Sequence, residues 1–224
     1  MELDLTPVWL TLKLAAVTTV ILLIVSTPLS WWLAHTQKRW SAVVEAIVAL
    51  PLVLPPTVLG FYLLLALGSN GVLGASWQAL TGASLVFTFS GLVIASVLYS
   101  LPFVVQPLQN AFSAVGRAPL EAAWCLRASP LDAFFRVIVP LTRRGYITAA
   151  VLGFTHTMGE FGVVLMVGGS IPGETQVLSI AIYEHVEVLD YTTAHYLSAG
   201  LLLFTFVVLL MVYGFNRRFP AHGH

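Results

Sequence analysis

Residues 15–33 read AAVTTVILLIVSTPLSWWL, a run that contains no Asp, Glu, Lys or Arg. A helix needs about 20 predominantly apolar residues to cross the hydrocarbon core of a bilayer, so this run is long enough to span a membrane. Two further runs, 85–105 and 197–215, have a similar length and character. This repetition predicts an all-α integral membrane protein, because a single globular core does not require several such segments.

The composition of the whole chain agrees with a lipid environment. Of the 224 residues, 58% are hydrophobic and 9% are charged, and the mean hydropathy is +0.90. A soluble domain of this size cannot bury so much apolar surface. The first residues carry Glu2 and Asp4 instead of a basic segment, and the apolar run after them is too long for a cleaved signal. We therefore expect it to remain as the first span.

The apolar segments predict five spans, or six in an alternative count, within one domain that covers 1–224 and has its core at about 8–215. The second segment is interrupted by LPLVLPP at 50–56, where each proline removes a backbone donor and obstructs the preceding turn, so we expect a kink or break there. Residues 68–84 are predicted to form a loop with Trp77 as an interfacial anchor. The predicted spans are about 8–34, 42–67, 85–105, 147–167 and 194–215.

The basic residues orient the chain. Apart from Lys13, every Lys and Arg lies in 35–40, in 106–144 or at the C-terminus, and five spans place these three regions on one face. The positive-inside rule makes that face cytoplasmic, so the N-terminus should lie outside and the C-terminus inside. The outer face then receives the acidic residues Glu2, Asp4, Glu174, Glu184, Glu187 and Asp190.

The segment 106–144 is polar, too long for a simple turn, and is predicted to be the largest extramembrane element. Pro119 suits the first turn of a helix, and Leu120, Ala123, Trp124 and Arg127 follow it at helical spacing as one apolar stripe. Ser129 provides the N-cap of a second short helix that should stop at Pro140. The two helices form either a docking platform for a cytoplasmic partner or a hairpin that covers the helix ends. Side chains predicted to face water are Glu121, Arg127, Asp132 and Arg136.

Residues 121–140 also carry a recognisable motif. Glu121-Ala-Ala123, three residues, Arg127, nine residues and VIVP at 137–140 resemble the EAA motif of bacterial ABC importer permeases, Glu-Ala-Ala-x3-Gly-x9-Ile-x-Leu-Pro. The resemblance implies a type I ABC importer permease fold, in which this loop is the coupling helix and sits in a groove of an ATPase subunit. Arg127 replaces the usual glycine, which is expected to let two backbones approach. The implied ATPase-coupling residues are Glu121, Ala122, Ala123, Trp124, Arg127, Ala128 and Pro140.

Three other stretches resemble the molybdate branch of this family: LPLVLPPTVLG at 50–60, GEFG at 159–162 and GGSIPGET at 168–175. The resemblance covers about 10–213. It implies a homodimer in a bacterial inner membrane that imports molybdate by alternating access, with the pathway at the homodimer interface. Its implied partners are two cytoplasmic ATP-binding subunits and a periplasmic or extracellular oxyanion-binding protein. Tungstate, sulfate or another oxyanion is the alternative cargo.

The fourth span carries an intramembrane ionisable pair, His156 and Glu160, four residues apart and expected on one helical face. Such groups are costly in lipid and usually face a bundle interior or a cavity, so they form either a gate or a structural contact. A carboxylate repels an oxyanion, which assigns Glu160 to gating or helix positioning. The prolines of the second span form a hinge or a static kink, and glycines permit close helix approach. The pathway or gate candidates are Pro51, Pro55, Pro56, Gly60, His156, Gly159, Glu160 and Gly162.

The segment Ile171-Pro172-Gly173-Glu174 is predicted to be a turn on the outer face, either a contact for the binding protein or a plain connector. The chain has no Gly-x4-Gly-Lys-Ser/Thr segment, so a partner must hydrolyse ATP, and we expect this chain to bind no cofactor. We expect no metal site and no nucleic acid partner. The lone cysteine, Cys125, excludes an intrachain disulfide and is expected to be buried. A membrane-embedded enzyme that uses His156 and Glu160 is the alternative function class.

Overall fold

The structure is a computed structural model that describes residues 4–217. Within this range the regular secondary structure is helical, which confirms the all-α prediction. Glu2 and Arg218, which contribute to the predicted charge pattern, lie outside it. The helices are α1 (Thr6–His35), α2 (Ser41–Val53), α3 (Pro56–Leu67), α4 (Val72–Thr81), α5 (Phe89–Val115), α6 (Ala118–Cys125), α7 (Pro130–Ala133), α8 (Val139–Leu141), α9 (Arg143–Met158), α10 (Gly162–Gly168), α11 (Leu178–Glu187) and α12 (Tyr191–Arg217).

Three of these helices, α1, α5 and α12, are long and apolar enough to cross a membrane on their own. Two helix pairs pass the same test only when taken together, and each pair is bent at its break: α2 and α3 by 114°, and α9 and α10 by 62°. Counting each pair as one span gives up to five, which agrees with the predicted number. The break before α3 is the one expected from the prolines, since Pro55 caps α3 and Pro56 begins it.

The centre of the molecule is a three-helix core of α1, α5 and α9, which pack directly on one another. Leu22, Leu108, Phe112 and Ala149 belong to one buried cluster between these helices. In contrast, α12 lies at the periphery against α9 and α11, and only 11% of its apolar span is buried. An apolar helix with so little protein contact is expected to face lipid.

The predicted loop 106–144 begins too early. Helix α5 continues through Pro102 and Pro107 to Val115, and α9 begins at Arg143, so the connection between these two spans covers only 116–142. Prolines are tolerated in membrane helices because neighbouring helices and side chains satisfy the freed backbone groups. The polar residues that suggested a loop, including Gln106 and Asn110, instead line cavities on one side of α5.

Two segments predicted as plain connections contain helices. Helix α4 occupies most of the predicted loop 68–84, and α11 lies between α10 and α12. The first N–H group of α11, on Leu178, donates to the buried hydroxyl of Thr11 on α1 at 2.7 Å. This bond satisfies an otherwise unpaired donor at the helix start and attaches α11 to the core.

Candidate functional site

Glu160 lies in the break between α9 and α10, and its residue is only 3% exposed. The prediction that His156 and Glu160 share one helical face is wrong, because α9 ends at Met158 and the chain bends before Glu160. The two side chains nevertheless meet, with 3.5 Å between His156 Nδ1 and Glu160 Oε1. The bend itself therefore places the carboxylate inside the bundle.

Two serines of α5 hold this carboxylate. Ser96 donates its hydroxyl proton to Oε2 of Glu160 at 2.6 Å, and Ser100 donates to Oε1 at 2.5 Å. Because a serine hydroxyl has one proton, Ser100 must accept at its other contacts, from His156 Nδ1 at 2.9 Å and Thr157 Oγ1 at 3.0 Å. This assignment follows from the network and places a proton on Nδ1 of His156. The carboxylate is thus satisfied mainly by hydroxyl groups of a neighbouring span.

The ring of His156 packs against Tyr99 and Phe103, two aromatic residues that lie four positions apart on α5. It stacks on Phe103, with ring centroids 3.8 Å apart, and lies 4.9 Å from the ring of Tyr99. On the other side of the bend, Ser179 of α11 donates its hydroxyl to the backbone oxygen of Glu160. The bend is therefore attached to both α5 and α11.

The second halves of the two bent spans, α3 and α10, pack closely through glycines. A Cβ atom at Gly60 would lie 2.9 Å from Cβ of Met166, and one at Gly162 would lie 3.0 Å from Cβ of Pro56. The predicted close approach at Gly60 is therefore confirmed. A cavity of about 520 Å³ opens beside this contact, lined by Pro56, Thr57, Tyr99, Thr155, His156, Gly159, Glu160, Phe161, Gly162, Leu165 and Met166.

The connection 116–142 presents an apolar surface away from the core. On α6, Leu120 and Ala123 are buried, whereas Trp124 is 52% exposed, so the predicted apolar stripe is wrong for Trp124. Cys125 is also exposed, which contradicts its predicted burial. We call the outward-facing set the loop face; it consists of Glu121, Trp124, Leu126, Leu131 and Phe135, all exposed.

Arg127 separates the two short helices in a left-handed backbone conformation, with φ of 60°. This conformation is unfavourable for residues with a Cβ atom and is readily adopted by glycine. The positive φ at this position therefore explains why the EAA motif usually has glycine there. The expected explanation was the close approach of two backbones. Arg127 adopts the glycine conformation despite its side chain, and that side chain is exposed.

The second short helix begins as predicted. The hydroxyl of Ser129 accepts a hydrogen bond from the backbone N–H of Asp132 at 3.2 Å, which confirms the N-cap. A π-helical turn, 134–138, continues α7 into α8, which ends at Leu141 and includes Pro140, so the predicted stop at Pro140 is one residue early. Asp132 and Arg136 form an exposed ion pair at 3.4 Å.

The loop packs into the core through Leu120, Ala123, Ala133 and Ile138, and two further contacts attach it to α1. A guanidinium nitrogen of Arg117 donates to the backbone oxygen of His35, the last residue of α1, at 3.1 Å. The ring of Phe134 packs edge-on against Trp31 of α1, with centroids 5.3 Å apart. Movement of the loop is therefore expected to move the C-terminal end of α1.

On the opposite side of the spans, the carbonyl of Ile171 accepts hydrogen bonds from the N–H groups of Glu174 at 3.1 Å and Thr175 at 2.9 Å. Gly173 has φ of 81°. The predicted turn is confirmed, and residues 171–174 are exposed. Before α12, the hydroxyl and backbone N–H of Thr193 hold the pKa of Asp190 below its usual value. Asp190 therefore carries a negative charge at the start of the last span.

With this geometry established, the chain can be compared with known proteins. A model of the family described as "Binding-protein-dependent transport system inner membrane component" matches residues 26–220. The chain belongs to this family. Family membership identifies it as the permease component of a transport system and not as a membrane-embedded enzyme.

Several named relatives match nearly the whole permease. The molybdenum transport system permease protein ModB of Azotobacter vinelandii is 59% identical over 98% of this chain and 97% of that protein. The ModB protein of Mycobacterium bovis is 35% identical over 96% of this chain and 80% of that protein. A probable sulfate transport system permease protein, cysT of Zygnema circumcarinatum, is 32% identical over 91% and 69%, respectively.

Solved ABC transporters share the fold of the permease. A chain of the MetNI methionine ABC transporter superposes with a TM-score of 0.72 at 17% identity and covers 96% of this chain and 95% of that chain. A bacterial ABC transporter involved in the import of alginate gives a TM-score of 0.77 at 16% identity, covering 98% and 81%. At this level of identity the likeness concerns the fold, and it confirms the predicted importer permease architecture.

The structure brings some of the predicted site residues of the permease together and separates others. Pro51 lies inside α2 and Pro55 caps α3, and neither lines the cavity beside Glu160. Sequence reasoning missed Ser96 and Ser100, although two hydroxyls four residues apart in the apolar run 85–105 were an available signal. The other pathway or gate candidates meet at the α3–α10 contact and the bend: Pro56, Gly60, His156, Gly159, Glu160 and Gly162.

The coupling candidates lie on different sides of the loop. Glu121, Trp124 and Arg127 are exposed, as are Ala122 and Pro140. Ala123 is buried and Ala128 packs against the same core cluster, so these two hold the loop in place and do not form its outer surface.

Proposed function

We propose that this permease forms a homodimer in the bacterial inner membrane and imports molybdate. Two cytoplasmic ATP-binding subunits would drive it, and a periplasmic or extracellular oxyanion-binding protein would supply the anion. The assignment of molybdate as the cargo rests on the 59% identity, over 98% of the chain, to a molybdenum transport permease. The sulfate permeases among the relatives are more distant, at 29% to 33% identity.

The proposed orientation places the connection 116–142 and the C-terminus in the cytoplasm and the N-terminus outside. Arg117, Arg127 and Arg136 all lie on this connection, and short loops rich in arginine remain on the cytoplasmic side. The exposed turn 171–174 then faces outward, where it is available to the binding protein. ATP is present on the side of the loop face, as coupling to an ATPase requires.

Coupling is assigned to the loop face because its apolar side chains remain largely exposed in the described part of the chain. A hairpin that merely protected the helix ends would turn Trp124, Leu126 and Leu131 inward, yet Leu126 is 84% exposed and Leu131 is 71% exposed. Exposed apolar groups with a charged neighbour such as Glu121 are typical of a protein interface. Arg117 and Phe134 would then transmit the push of an ATPase subunit to α1.

Gating is assigned to the bend at Glu160. Both carboxylate oxygens accept serine protons, so Glu160 is a positioning residue that connects α5 to the α9–α10 bend. The glycine contact between α3 and α10 makes the second halves of the bent spans one packed unit. Alternating access would occur by movement of this unit about the bend, and the cavity beside it would open and close.

Transport assays of the complete complex test the cargo. The permease is reconstituted with its ATP-binding subunits and binding protein in lipid vesicles, and accumulation of molybdate, tungstate and sulfate is measured with and without ATP. We expect ATP-dependent molybdate uptake that tungstate inhibits and sulfate does not. Uptake of sulfate without uptake of molybdate would overturn the cargo assignment, and molybdate uptake without the ATP-binding subunits would overturn the proposed energy source.

Replacing two residues of the loop face tests the coupling. The double change Glu121→Ala and Trp124→Ala should abolish ATP-driven uptake while the permease still inserts and purifies. Trp9, which is 70% exposed on α1, provides the control, because Trp9→Ala removes an exposed indole far along the sequence from the loop. Equal uptake by the loop variant and the control would remove the docking role.

A further inference from the structure

The cavity beside Glu160 is the first in a row of cavities that lies along α5. Two more cavities, of about 430 Å³ and 340 Å³, follow along α5 toward the loop and share Gln106 and Asn110 in their linings. Among the α5 residues that line the row, Tyr99, Phe103, Gln106 and Asn110 share one helical face. The α9 side of the first two cavities is formed by Gly145, Thr148, Leu152, Thr155 and His156.

The inner part of this row has polar groups without protein partners. Gln106 and Asn110 are exposed and Thr148 is half-buried, and within residues 4–217 none of their side chains forms a hydrogen bond. In contrast, Gln109, three residues beyond Gln106, donates to Glu45 at 2.8 Å. An amide that faces hydrocarbon without a partner is costly, so this side of α5 must meet water, another chain or a ligand.

The lining is also free of cations. Among the described residues that line the three cavities, none is Lys or Arg, and the side-chain donors are carboxamides, hydroxyls and the imidazole of His156. The described lining of the middle cavity, which contains Gln106, Asn110 and Thr148, has no charged residue at all. Such a neutral lining suits an anion that must enter and leave, because a site on a conduction path has to bind weakly enough to release its occupant. Glu45 lines the cavity nearest the loop, where a carboxylate opposes return of an anion.

We propose that Gln106, Asn110 and Thr148 form a transient binding subsite for a tetrahedral oxyanion in the inner half of the membrane. This inference rests on the proposed function. It adds the place at which the anion is held after it passes the bend. Each carboxamide offers two N–H donors and the threonine offers one O–H donor, which match oxygen atoms on different corners of a tetrahedron. The subsite recognises the charge and shape of the oxyanion and does not select molybdate over sulfate.

The first test adds a negative charge at position 106 while the shape of the side chain stays nearly the same. In the reconstituted complex, Gln106→Glu should reduce ATP-dependent molybdate uptake about tenfold or more, since repulsion of about 1.4 kcal/mol is enough for a factor of ten. Gln106→Leu should have a smaller effect, because it removes donors without adding charge. Gln78→Glu is the matched control, since Gln78 is exposed on α4 and lies outside the row of cavities. Normal uptake by Gln106→Glu, with wild-type uptake intact, would overturn the subsite.

Chemical accessibility provides a second, independent readout. In a Cys125→Ser background verified for uptake, cysteines at positions 106, 110 and 148 should react with a negatively charged, water-soluble thiosulfonate, and molybdate should slow the reaction. A cysteine that replaces Phe206, an exposed apolar residue of α12, should stay unmodified. Modification of these cysteines that molybdate does not slow, or no modification at all, would reject the subsite.

These outcomes separate the two levels of the proposal. If the wild-type complex accumulates no molybdate under any condition, the proposed function fails. If the wild type accumulates molybdate and the Gln106→Glu variant matches it, the proposed function stands and only the subsite fails.

Discussion

Ser100 of α5 donates its hydroxyl proton to Oε1 of Glu160 at 2.5 Å, across the bend that joins α9 to α10. The same hydroxyl accepts from His156 Nδ1 and Thr157 Oγ1, so one serine connects three residues of the broken span to a continuous one. A buried carboxylate that loses a donor keeps its desolvation penalty without compensation. The stability of the bend therefore depends on Ser100 and its neighbour Ser96.

Removing either hydroxyl should destabilise the permease. Ser100→Ala and Ser96→Ala each leave an oxygen of buried Glu160 without its donor, and we expect a loss of about 1.5–3 kcal/mol for each, the range for hydrogen bonds to charged groups. Thermal unfolding of the purified complex would show a lower midpoint for both variants. Ser100→Ala should have the larger effect, because it also removes the acceptor of His156.

Ser26 provides the control for this pair. It is a fully buried serine on α1, and its hydroxyl has no hydrogen-bond partner among the described residues. Ser26→Ala should therefore leave the unfolding midpoint unchanged or raise it slightly, because no bond is lost and a buried polar group is removed. A drop equal to that of Ser100→Ala would show that the serine bonds to Glu160 contribute nothing specific.

Glu160→Gln separates positioning from a purely structural role. Glutamine keeps the shape of the side chain, and serine hydroxyls can donate to its oxygen and accept from its NH₂ group, so the permease should still fold and purify. Glutamine has one acceptor oxygen where Glu160 has two that accept serine protons, so one of the two bonds that fix the bend must change, and uptake should fall while the amount of protein stays the same. Absence of folded protein would instead favour the structural interpretation, and wild-type uptake would remove the gating assignment.

The contrast between the spans and the site shows what the sequence could predict. The number of spans follows from the lengths of apolar runs, and the break before α3 follows from Pro55 and Pro56, because both depend on local chemistry. The position of Glu160 depends on a helix end and on contacts with a different span. Spacing alone placed Glu160 on the face of His156, whereas the bend and the two serines decide its real environment.

The same distinction applies to the coupling loop. The N-cap at Ser129 is a local signal and was predicted correctly. The orientation of α6 depends on which side meets the core, and helical spacing alone could not place Trp124 outward or Cys125 in an exposed position. The early end of α6 is likewise hidden in the sequence, because arginine does not signal a left-handed turn in the way that glycine does.

Arg127 offers a stability test of that left-handed turn. Arg127→Gly should raise the free energy of unfolding relative to Arg127→Ala by about 1–2 kcal/mol, because glycine adopts a positive φ without the steric penalty of a Cβ atom. Both variants lose the same charge, so their difference isolates the backbone conformation. Denaturation of the purified complex measures it, and equal stability of the two variants would contradict the left-handed assignment.

Gly60 provides the last test, because it decides how closely the second halves of the bent spans can pack. In Gly60→Ala the new Cβ atom would lie 2.9 Å from Cβ of Met166 and 3.2 Å from Cα of Val163, so α3 and α10 must separate. Overpacking of this kind costs about 1–3 kcal/mol, and the cavity beside Glu160 should change shape with it. The unfolding midpoint and the uptake rate should therefore fall together.

Gly200 on α12 is the matched position, since a Cβ atom there would meet nothing within 4 Å. Gly200→Ala should stabilise the permease by about 0.5–1 kcal/mol, because alanine loses less backbone entropy in a helix than glycine does. If Gly60→Ala destabilises the permease and Gly200→Ala stabilises it, the loss of stability at Gly60 is due to the α3–α10 contact, since helix propensity favours alanine equally at both positions. If both variants were stabilised, α3 and α10 could tolerate separation, and the bent halves would not move as the single packed unit that the gating proposal requires.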